Sequence, residues 1–209
     1  MLRKLAPLTL STLFAVAPLS AQVSITPFGG RIFPLRSMII DTSGGSAAYF
    51  RMGAHSMYGL QVSHPVAAGV AVEVVAGVGS GTMELLSGGS PLTLASTVYF
   101  ADLRGRLKLI GTEASQLSLI AGGGWTQYSM GVFDAAHQLN DSTTLKGAFT
   151  GIIGLGFQGK VSERFSLTAD LTDRIHSEPL ETPFSPASAS KPTQHDLAFA
   201  LGASFPLGR

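Results

Sequence analysis

The chain has no cysteine among its 209 residues, so neither a disulfide nor a lipid carried on a cysteine can form within it. It is also poor in charge, because Asp, Glu, Lys and Arg make up 13% of the residues, against roughly 25% in soluble domains. It contains no uninterrupted run of about 18 apolar residues, which a membrane-spanning helix would need. Low charge without long apolar runs is typical of β-barrel membrane proteins, whose hydrophobicity falls on alternate residues.

The charged residues and histidines that are present do not indicate nucleic acid, a metal or a cofactor. The formal net charge is +1, with acidic and basic residues interspersed, whereas nucleic-acid-binding proteins cluster their basic residues. The histidines are scattered, and no pair has convincing metal-ligand spacing. The glycines at 122–124 precede no predicted helix that could help to bind a phosphate. We therefore expect no cofactor and no metal site.

The first 21 residues have the parts of a secretory signal peptide. Arg3 and Lys4 form the positive end, a short apolar segment follows, and Ala21 offers a small residue for cleavage before Gln22. An uncleaved membrane anchor is the alternative, although the apolar segment is short for one. The expected division is a signal peptide over residues 1–21 and one barrel domain over residues 22–209.

The last strand-like stretch, residues 196–207, alternates between two kinds of side chain. Small or polar residues occupy one face, and a period of two is the signature of a β-strand. The other face carries Leu197, Phe199, Leu201, Ala203, Phe205 and Leu207. A bulky apolar face opposite a small polar one suits a transmembrane barrel strand, which contacts lipid outside and the lumen inside.

Seven earlier stretches show similar alternation. The eight predicted strands are 23–34, 49–63, 70–80, 97–110, 116–130, 145–161, 165–176 and 194–207. Short connections at 64–69, 111–115 and 162–164 alternate with long ones at 35–48, 81–96, 131–144 and 177–193. Outer-membrane barrels alternate in this way between periplasmic turns and extracellular loops. The predicted fold is all-β: a closed, antiparallel, eight-stranded transmembrane up-and-down β-barrel without an unpaired edge.

The orientation of the two faces distinguishes a membrane barrel from a soluble one. In the sixth predicted strand, Phe149, Ile153 and Phe157 share a face, while the opposite face is rich in glycine and polar residues. A soluble lipocalin-like barrel would bury its bulky apolar residues inside, so we expect the reverse arrangement here. Aromatic girdles at the two membrane interfaces are predicted as well. Their members would be Tyr99, Trp125 and Tyr128 at the loop ends of the strands, and Phe157, Phe165 and Phe205 at the turn ends.

Two short segments resemble the small eight-stranded outer-membrane β-barrel proteins, the porin-like group that includes the OmpA transmembrane domain and the OmpX-like proteins. They are Ile25–Arg31 (ITPFGGR) at the start and the C-terminal strand, where Gly202, Phe205 and Leu207 are similar to the assembly signal of that group. The chain departs from the group's usual aromatic end, because Pro206 interrupts the donors of the strand and Gly208 and Arg209 follow.

The resemblance implies a location in the cell outer membrane of a Gram-negative-type envelope. It also implies contact with outer-membrane lipid, insertion by the barrel-assembly machinery and a monomeric barrel. Nucleic acid is not an expected partner, and the sequence leaves the ligand of the extracellular loops open.

Charged residues fall on the predicted lumen face. They are Glu73, Asp102, Arg104, Arg106, Lys108, Asp170 and Arg174. Buried charges are tolerated when they are paired, and side chains can fill an eight-stranded barrel. One interpretation is a salt-bridge network that plugs the lumen, and the other is a narrow pore whose charges select ions. In either case, Glu73 is predicted to face Arg106 or Lys108 across its strand pair.

The triplet His176–Ser177–Glu178 offers the residue types of a nucleophile and its base. Neighbouring strand residues point to opposite faces, however, so this spacing favours coincidence over catalysis. We expect no enzymatic activity. The predicted function is a structural or loop-mediated surface-interaction role in the outer membrane. The alternatives are a narrow channel for ions or small solutes and, less favoured, an enzyme that modifies outer-membrane lipid.

Overall fold

The computed structural model describes residues 22–35, 38–41, 48–86, 92–112, 114–133, 139–144, 147–177 and 193–207. The predicted signal peptide, residues 1–21, lies outside the described residues and stays a prediction. Within the described ranges, no helix is long and apolar enough to cross a membrane.

The described residues form antiparallel β-strands throughout. The strands are β1 Ser24–Pro34, β2 Met38–Asp41, β3 Ala48–Met52, β4 His55–Ala67, β5 Val70–Leu86, β6 Leu92–Gly111, β7 Ser115–Phe133, β8 Leu139–Thr144, β9 Ala148–Lys160, β10 Ser166–Ser177 and β11 Thr193–Pro206.

Eight of these strands close into a ring, in the order β1, β4, β5, β6, β7, β9, β10 and β11. The first and last strands complete it, with pairing from Ser24 opposite Pro206 to Pro34 opposite Asp196. The predicted closed eight-stranded antiparallel barrel is confirmed. The other three strands extend one end of it, where β3 pairs with β5, β2 with β3, and β8 with β7.

The barrel wall is longer at this end than the sequence pattern indicated. The pairing of β5 with β6 continues from Ser80 opposite Thr97 to Leu85 opposite Leu92, although residues 81–96 were predicted to be a loop. Inside, the buried Met83 and Leu94 keep this extension packed. We call this the loop end of the barrel, and the opposite end, which carries the short connections, the turn end.

The turn end is formed by tight connections. The β4–β5 turn has Gly69 at a φ of 76°, a left-handed conformation that favours glycine because it has no Cβ. Pro206 does not end the pairing of the last strand, because the Leu207 N–H donates to the Val23 carbonyl oxygen at 2.7 Å. The first and last strands are thus joined down to this rim.

The outside of the barrel is apolar. Phe149 is 71% exposed, and other leucines and phenylalanines of its orientation are exposed too, as a lipid-facing surface requires. They are Leu155 and Phe157 on β9, Leu167 and Leu171 on β10, and Phe199, Leu201 and Phe205 on β11, whereas Leu197 is half-buried. Leu103 and Leu107 are likewise exposed on β6, while Asp102, Arg104 and Arg106, at the alternate positions, point inward and are buried. The predicted orientation, with apolar side chains outside, is therefore what the structure has.

Aromatic side chains mark the upper limit of this apolar surface. Tyr58, Tyr99 and Trp125 are half or more exposed on the outside. From Tyr58 to the turn end at Ala67, the strand rises roughly 21–24 Å if it tilts by 35–45°, close to the apolar band of about 25 Å in outer-membrane barrels. Tyr128 was wrongly assigned to this girdle, because it is 1% exposed and lies inside the barrel.

Candidate functional site: the charged lumen

Six of the seven expected lumen charges lie inside the barrel. β6 directs Asp102, Arg104 and Arg106 inward because they occupy alternate positions. Glu73 joins them from β5, and Asp170 and Arg174 from β10; all six are buried. Lys108 shares their phase on β6 but lies near the turn end, where its Nζ donates to the Thr112 carbonyl oxygen at 3.5 Å.

Glu73 is the centre of the lower part of this network. The Arg106 Nε donates to Glu73 Oε1 at 2.6 Å, and the Arg104 Nη2 donates to Oε2 at 3.0 Å. The Gln61 amide of β4 donates to Oε1 at 2.9 Å. Glu73 therefore faces Arg106, one of its two predicted partners, together with Arg104, which lies directly opposite it in the strand pairing. The lysine alternative is not the arrangement observed.

Asp170 connects this group to the far wall of the barrel. The Arg106 Nη2 donates to both of its carboxylate oxygens at 2.9 Å, and the Arg104 Nη2 donates to Oδ2 at 3.2 Å. β6 and β10 are three places apart in the ring of eight strands. The side chains therefore cross the lumen rather than follow its wall.

A second crossing lies above the first. The Arg174 guanidinium donates to the two oxygens of Asp102 at 2.6 and 2.9 Å, and to the Thr126 hydroxyl at 3.0 Å. Its carbon lies 4.7 Å from the centre of the Phe100 ring, within the range of a cation–π contact. Two-pronged arginine–carboxylate pairs of this kind fix geometry as well as charge.

Glycines make room for the network. A Cβ at Gly156 would overlap the Arg106 Nη1, and one at Gly124 would overlap Asp102 Oδ1. Both glycines face inward beside the charged side chains. The glycine-rich stretch at 122–124, interpreted from sequence as room in the lumen, therefore includes one position where that room is used by a member of the network.

A third polar group lies toward the loop end, and it was missed as a group from the sequence. The Tyr128 hydroxyl donates to Asp196 Oδ2 at 2.5 Å, His176 Nε2 lies 2.9 Å from the same oxygen, and the Gln194 amide donates to Oδ1 at 3.0 Å. The sequence contains a signal for part of this group. His176 is an even number of residues from Asp170 and Arg174 on β10, so its side chain points inward as theirs do.

Both ring nitrogens of His176 have polar neighbours. Its Nδ1 lies 2.9 Å from the Ser177 carbonyl oxygen, and its Nε2 lies 2.9 Å from the Asp196 carboxylate. These two contacts fix the orientation of the buried ring.

The catalytic interpretation of the triplet has no geometric support in the described residues. His176 is buried in the lumen, whereas Ser177 is exposed on the other face of the strand. Glu178 lies outside the described residues. Among the residues that the structure describes, no group of three or more His, Cys, Asp or Glu side chains could hold a metal ion.

Apolar side chains pack inside the lumen around Tyr128. Ile32, Met57, Met83, Leu94 and Val98 are buried there in one cluster. Below the cluster, the gap beside the arginine network has a volume of about 30 Å³, enough for a small number of water molecules. A larger cavity of about 360 Å³ opens at the turn end, with Arg106 and Glu73 among its lining residues.

The three residues of the expected assembly signal are split between the two faces of β11 and its end. Gly202 lies inward against Thr26 and Thr168. Phe205 and Leu207 are exposed on the outside, at 44% and 47%. Their role in assembly stays a prediction.

Solved structures that match this chain have the same barrel fold. No family model matches the chain, and no curated protein matches it. Solved structures do match. The outer membrane protein OprG from Pseudomonas aeruginosa is 16% identical, with a TM-score of 0.61 over 90% of this chain and 97% of that one. The outer membrane protein AlkL, studied in lipid bilayers, is 14% identical, with a TM-score of 0.58 over 90% of this chain and 92% of that one.

The Neisserial surface protein A is 9% identical, with a TM-score of 0.55 over 88% of this chain and 96% of that one. This chain has the fold of the small eight-stranded outer-membrane β-barrels. The resemblance to OmpA- and OmpX-like barrels noted in the sequence is thus supported at the level of fold, and the barrel's apolar outer surface agrees with the expected location in an outer membrane. Likeness at such low identity carries no substrate or ligand from those proteins to this barrel.

Proposed function

We propose that the protein is a non-conducting outer-membrane barrel that acts as a rigid support for its extracellular loops, in a structural or surface-interaction role. The observation that carries this proposal is the arginine–carboxylate network across the lumen. Arg106 bridges Glu73 and Asp170 at 2.6 and 2.9 Å, and Arg174 holds Asp102 above it. Paired charges that cross the lumen obstruct the path of a hydrated ion.

Orientation follows from the two ends of the barrel. In this proposal, the turn end faces the periplasm and the loop end faces outward, as in outer-membrane barrels generally. The longest connections, which contain residues 42–47, 87–91, 134–138 and 178–192, then lie on the extracellular side. A rigid scaffold with variable surface loops is a common way to present a binding surface.

Planar-bilayer recording tests the proposal. Purified protein, shown to be folded by a shift in gel mobility on heating, should insert without steady conductance steps. A lumen variant with Arg104→Ala and Arg106→Ala serves as the control, because it removes the crossing side chains and should raise the conductance. Discrete, steady channels in the unmodified protein would refute the closed lumen.

A narrow channel is the second candidate. The cavity at the turn end and the small gap above it share Thr26, Gln61 and Thr168 in their linings. Among the described residues, the side chains of the network and of the apolar cluster then separate the turn end from the loop end. This candidate requires those side chains to move. It predicts channel events whose frequency rises in a variant that carries the single substitution Arg106→Ala.

A lipid-modifying enzyme is not part of the proposal. The opposite orientations of His176 and Ser177 argue against a nucleophile–base pair at that position. A lipid mass shift that appears on expression and is lost with Ser177→Ala would restore the enzyme as a candidate.

A further inference from the structure

The cavity at the turn end differs in chemistry from the rest of the lumen. It has a volume of about 360 Å³, which falls in the lower part of the 300–1,000 Å³ range of ligand pockets. Its walls are mostly hydroxyl and amide side chains. We call it the vestibule, and its hydroxyl-bearing residues are Ser24, Thr26, Ser63, Ser162, Ser166, Thr168 and Ser204.

Several of these wall hydroxyls remain available to form a hydrogen bond with a ligand. In the network above, each charged side chain has one or more side-chain partners. By contrast, Ser63, Ser166, Thr168 and Ser204 form no side-chain hydrogen bond to any residue within the described ranges. The Gln116 Nε2 donates to the Gln158 Oε1 at 3.0 Å, which leaves further donors and acceptors on both amides.

Charge on the vestibule walls is already compensated. The Arg106 guanidinium is paired with Glu73 and Asp170, and the Lys160 Nζ lies 2.7 Å from Glu163 Oε1 at the rim. An ion entering the vestibule would lose water without gaining an unpaired counter-charge, which is unfavourable. A neutral ligand rich in hydroxyl or amide groups would find partners without that cost.

Phe165 lies at the rim of the vestibule. Its ring centre is 6.2 Å from that of Phe205, which is exposed on the outside of the barrel, so this aromatic pair borders the opening and does not form an inner wall. Sugar rings carry hydroxyls at their edges. The hydroxyl and amide side chains of the vestibule walls match that chemistry.

We propose that the vestibule binds the end of a neutral glycan, one or two sugar rings long, that enters from the turn end. Arg106 and Glu73 close the floor of the site, so the sugar is held and not passed through. This site goes beyond the proposed scaffold role and does not depend on it, because a conducting barrel could bind sugar and a closed barrel could fail to do so.

Nuclear magnetic resonance of the full barrel in phosphocholine micelles tests the proposal, since sugar-based detergents would compete for the site. The probe is the disaccharide of N-acetylglucosamine, titrated to about 100 mM. Saturable shifts are expected for the amides of Ser63, Thr168 and Ser204. The amides of Val98 and Tyr128, near the loop end, should not shift.

Two variants on one strand provide the matched comparison. Thr168→Val removes a vestibule hydroxyl while keeping the shape of the side chain, and should weaken binding roughly threefold to tenfold. Thr172→Val makes the same change two positions further along the inner face of β10, where the side chain lines the small gap and not the vestibule, and should leave binding unchanged. Ser63→Ala is the second test if Thr168→Val does not fold.

Three outcomes would overturn the proposal. The first is the absence of saturable shifts with the disaccharide, which would show that the vestibule holds only water. The second is tighter binding of glucuronate or phosphate than of the neutral sugar, which would show an anion site instead. The third is equal affinity in Thr168→Val, Ser63→Ala and the unmodified barrel. Each result is independent of bilayer conductance, so failure of this proposal is distinguishable from failure of the closed-barrel proposal.

Discussion

Arg174 on β10 holds Asp102 on β6 through two hydrogen bonds, of 2.6 and 2.9 Å, across the inside of the barrel. Both side chains are almost fully buried, at 5% and 0% exposure. The pair joins two strands that are not neighbours in the ring. Backbone pairing cannot make such a connection, so the lumen side chains brace the barrel in a direction that the sheet does not.

Removing one member of this pair should be costly. Arg174→Met leaves Asp102 buried without its cation, and we expect the free energy of unfolding to fall by about 3–5 kcal/mol. Urea unfolding from lipid vesicles, followed by fluorescence of the single tryptophan, Trp125, measures the change. Lys160→Gln, at the exposed pair with Glu163, is the control and should cost at most about 1 kcal/mol. Equal losses in the two variants would contradict the bracing role.

Gly156 should not tolerate a side chain. Gly156→Ala places a Cβ against the Arg106 Nη1, so Arg106 must shift from Glu73 and Asp170, and the expected loss of stability is about 1–3 kcal/mol. Gly151→Ala on the same strand is the matched control, because its Cβ would meet only the Ile175 carbonyl oxygen at an ordinary 3.7 Å. Its expected change is within about 0.5 kcal/mol. The same urea titration distinguishes the two glycines, and an unchanged midpoint for Gly156→Ala would argue against the packed network.

The loop-end network should depend on the Tyr128 hydroxyl. Tyr128→Phe keeps the ring but removes a donor to the buried Asp196, with an expected loss of about 1–3 kcal/mol. Tyr99→Phe, on the exposed outside of the barrel, should stay within about 0.5 kcal/mol. If both substitutions proved neutral, the bond from Tyr128 to Asp196 would not contribute to stability.

The outer surface should respond to charge as a lipid-facing surface does. Leu155 lies midway along β9 and is 47% exposed, so Leu155→Arg should cost about 2–4 kcal/mol in vesicles. Val161→Arg, just beyond the turn end of β9, should cost about 0–1 kcal/mol because it is near the interface. A cost that does not differ between these two depths would be inconsistent with a membrane-spanning wall.

Much of this architecture was predictable, because alternation is a local property of the chain. Phe149, Ile153 and Phe157 recur at every fourth residue, and a strand must place residues at such even spacing on one face. The same rule could have corrected the assignment of Tyr128. Trp125 and Tyr128 are an odd number of residues apart, so only one of them can point outward from a regular strand.

Partners within the lumen were harder to predict. Alternation places Arg104, Arg106 and Lys108 on the same face, but it does not show how far along the barrel each one lies. Glu73 binds the two arginines because strand register brings Arg104 opposite it, whereas Lys108 lies near the turn end. Register depends on the whole closed ring, and a pattern within one strand does not contain it.

By itself, the sequence determined the strand-rich class, the closed antiparallel topology and the apolar exterior. Period-two hydrophobicity and connection length depend only on the order of residues in the chain. Only the tertiary structure decided which charges pair across the lumen, that His176 and Tyr128 share Asp196, and that a hydroxyl-rich vestibule with paired charges remains at the turn end. These features arise between strands that are distant in sequence. Closure of the ring determines their spacing, and the energetic need to pair buried charge determines their contacts.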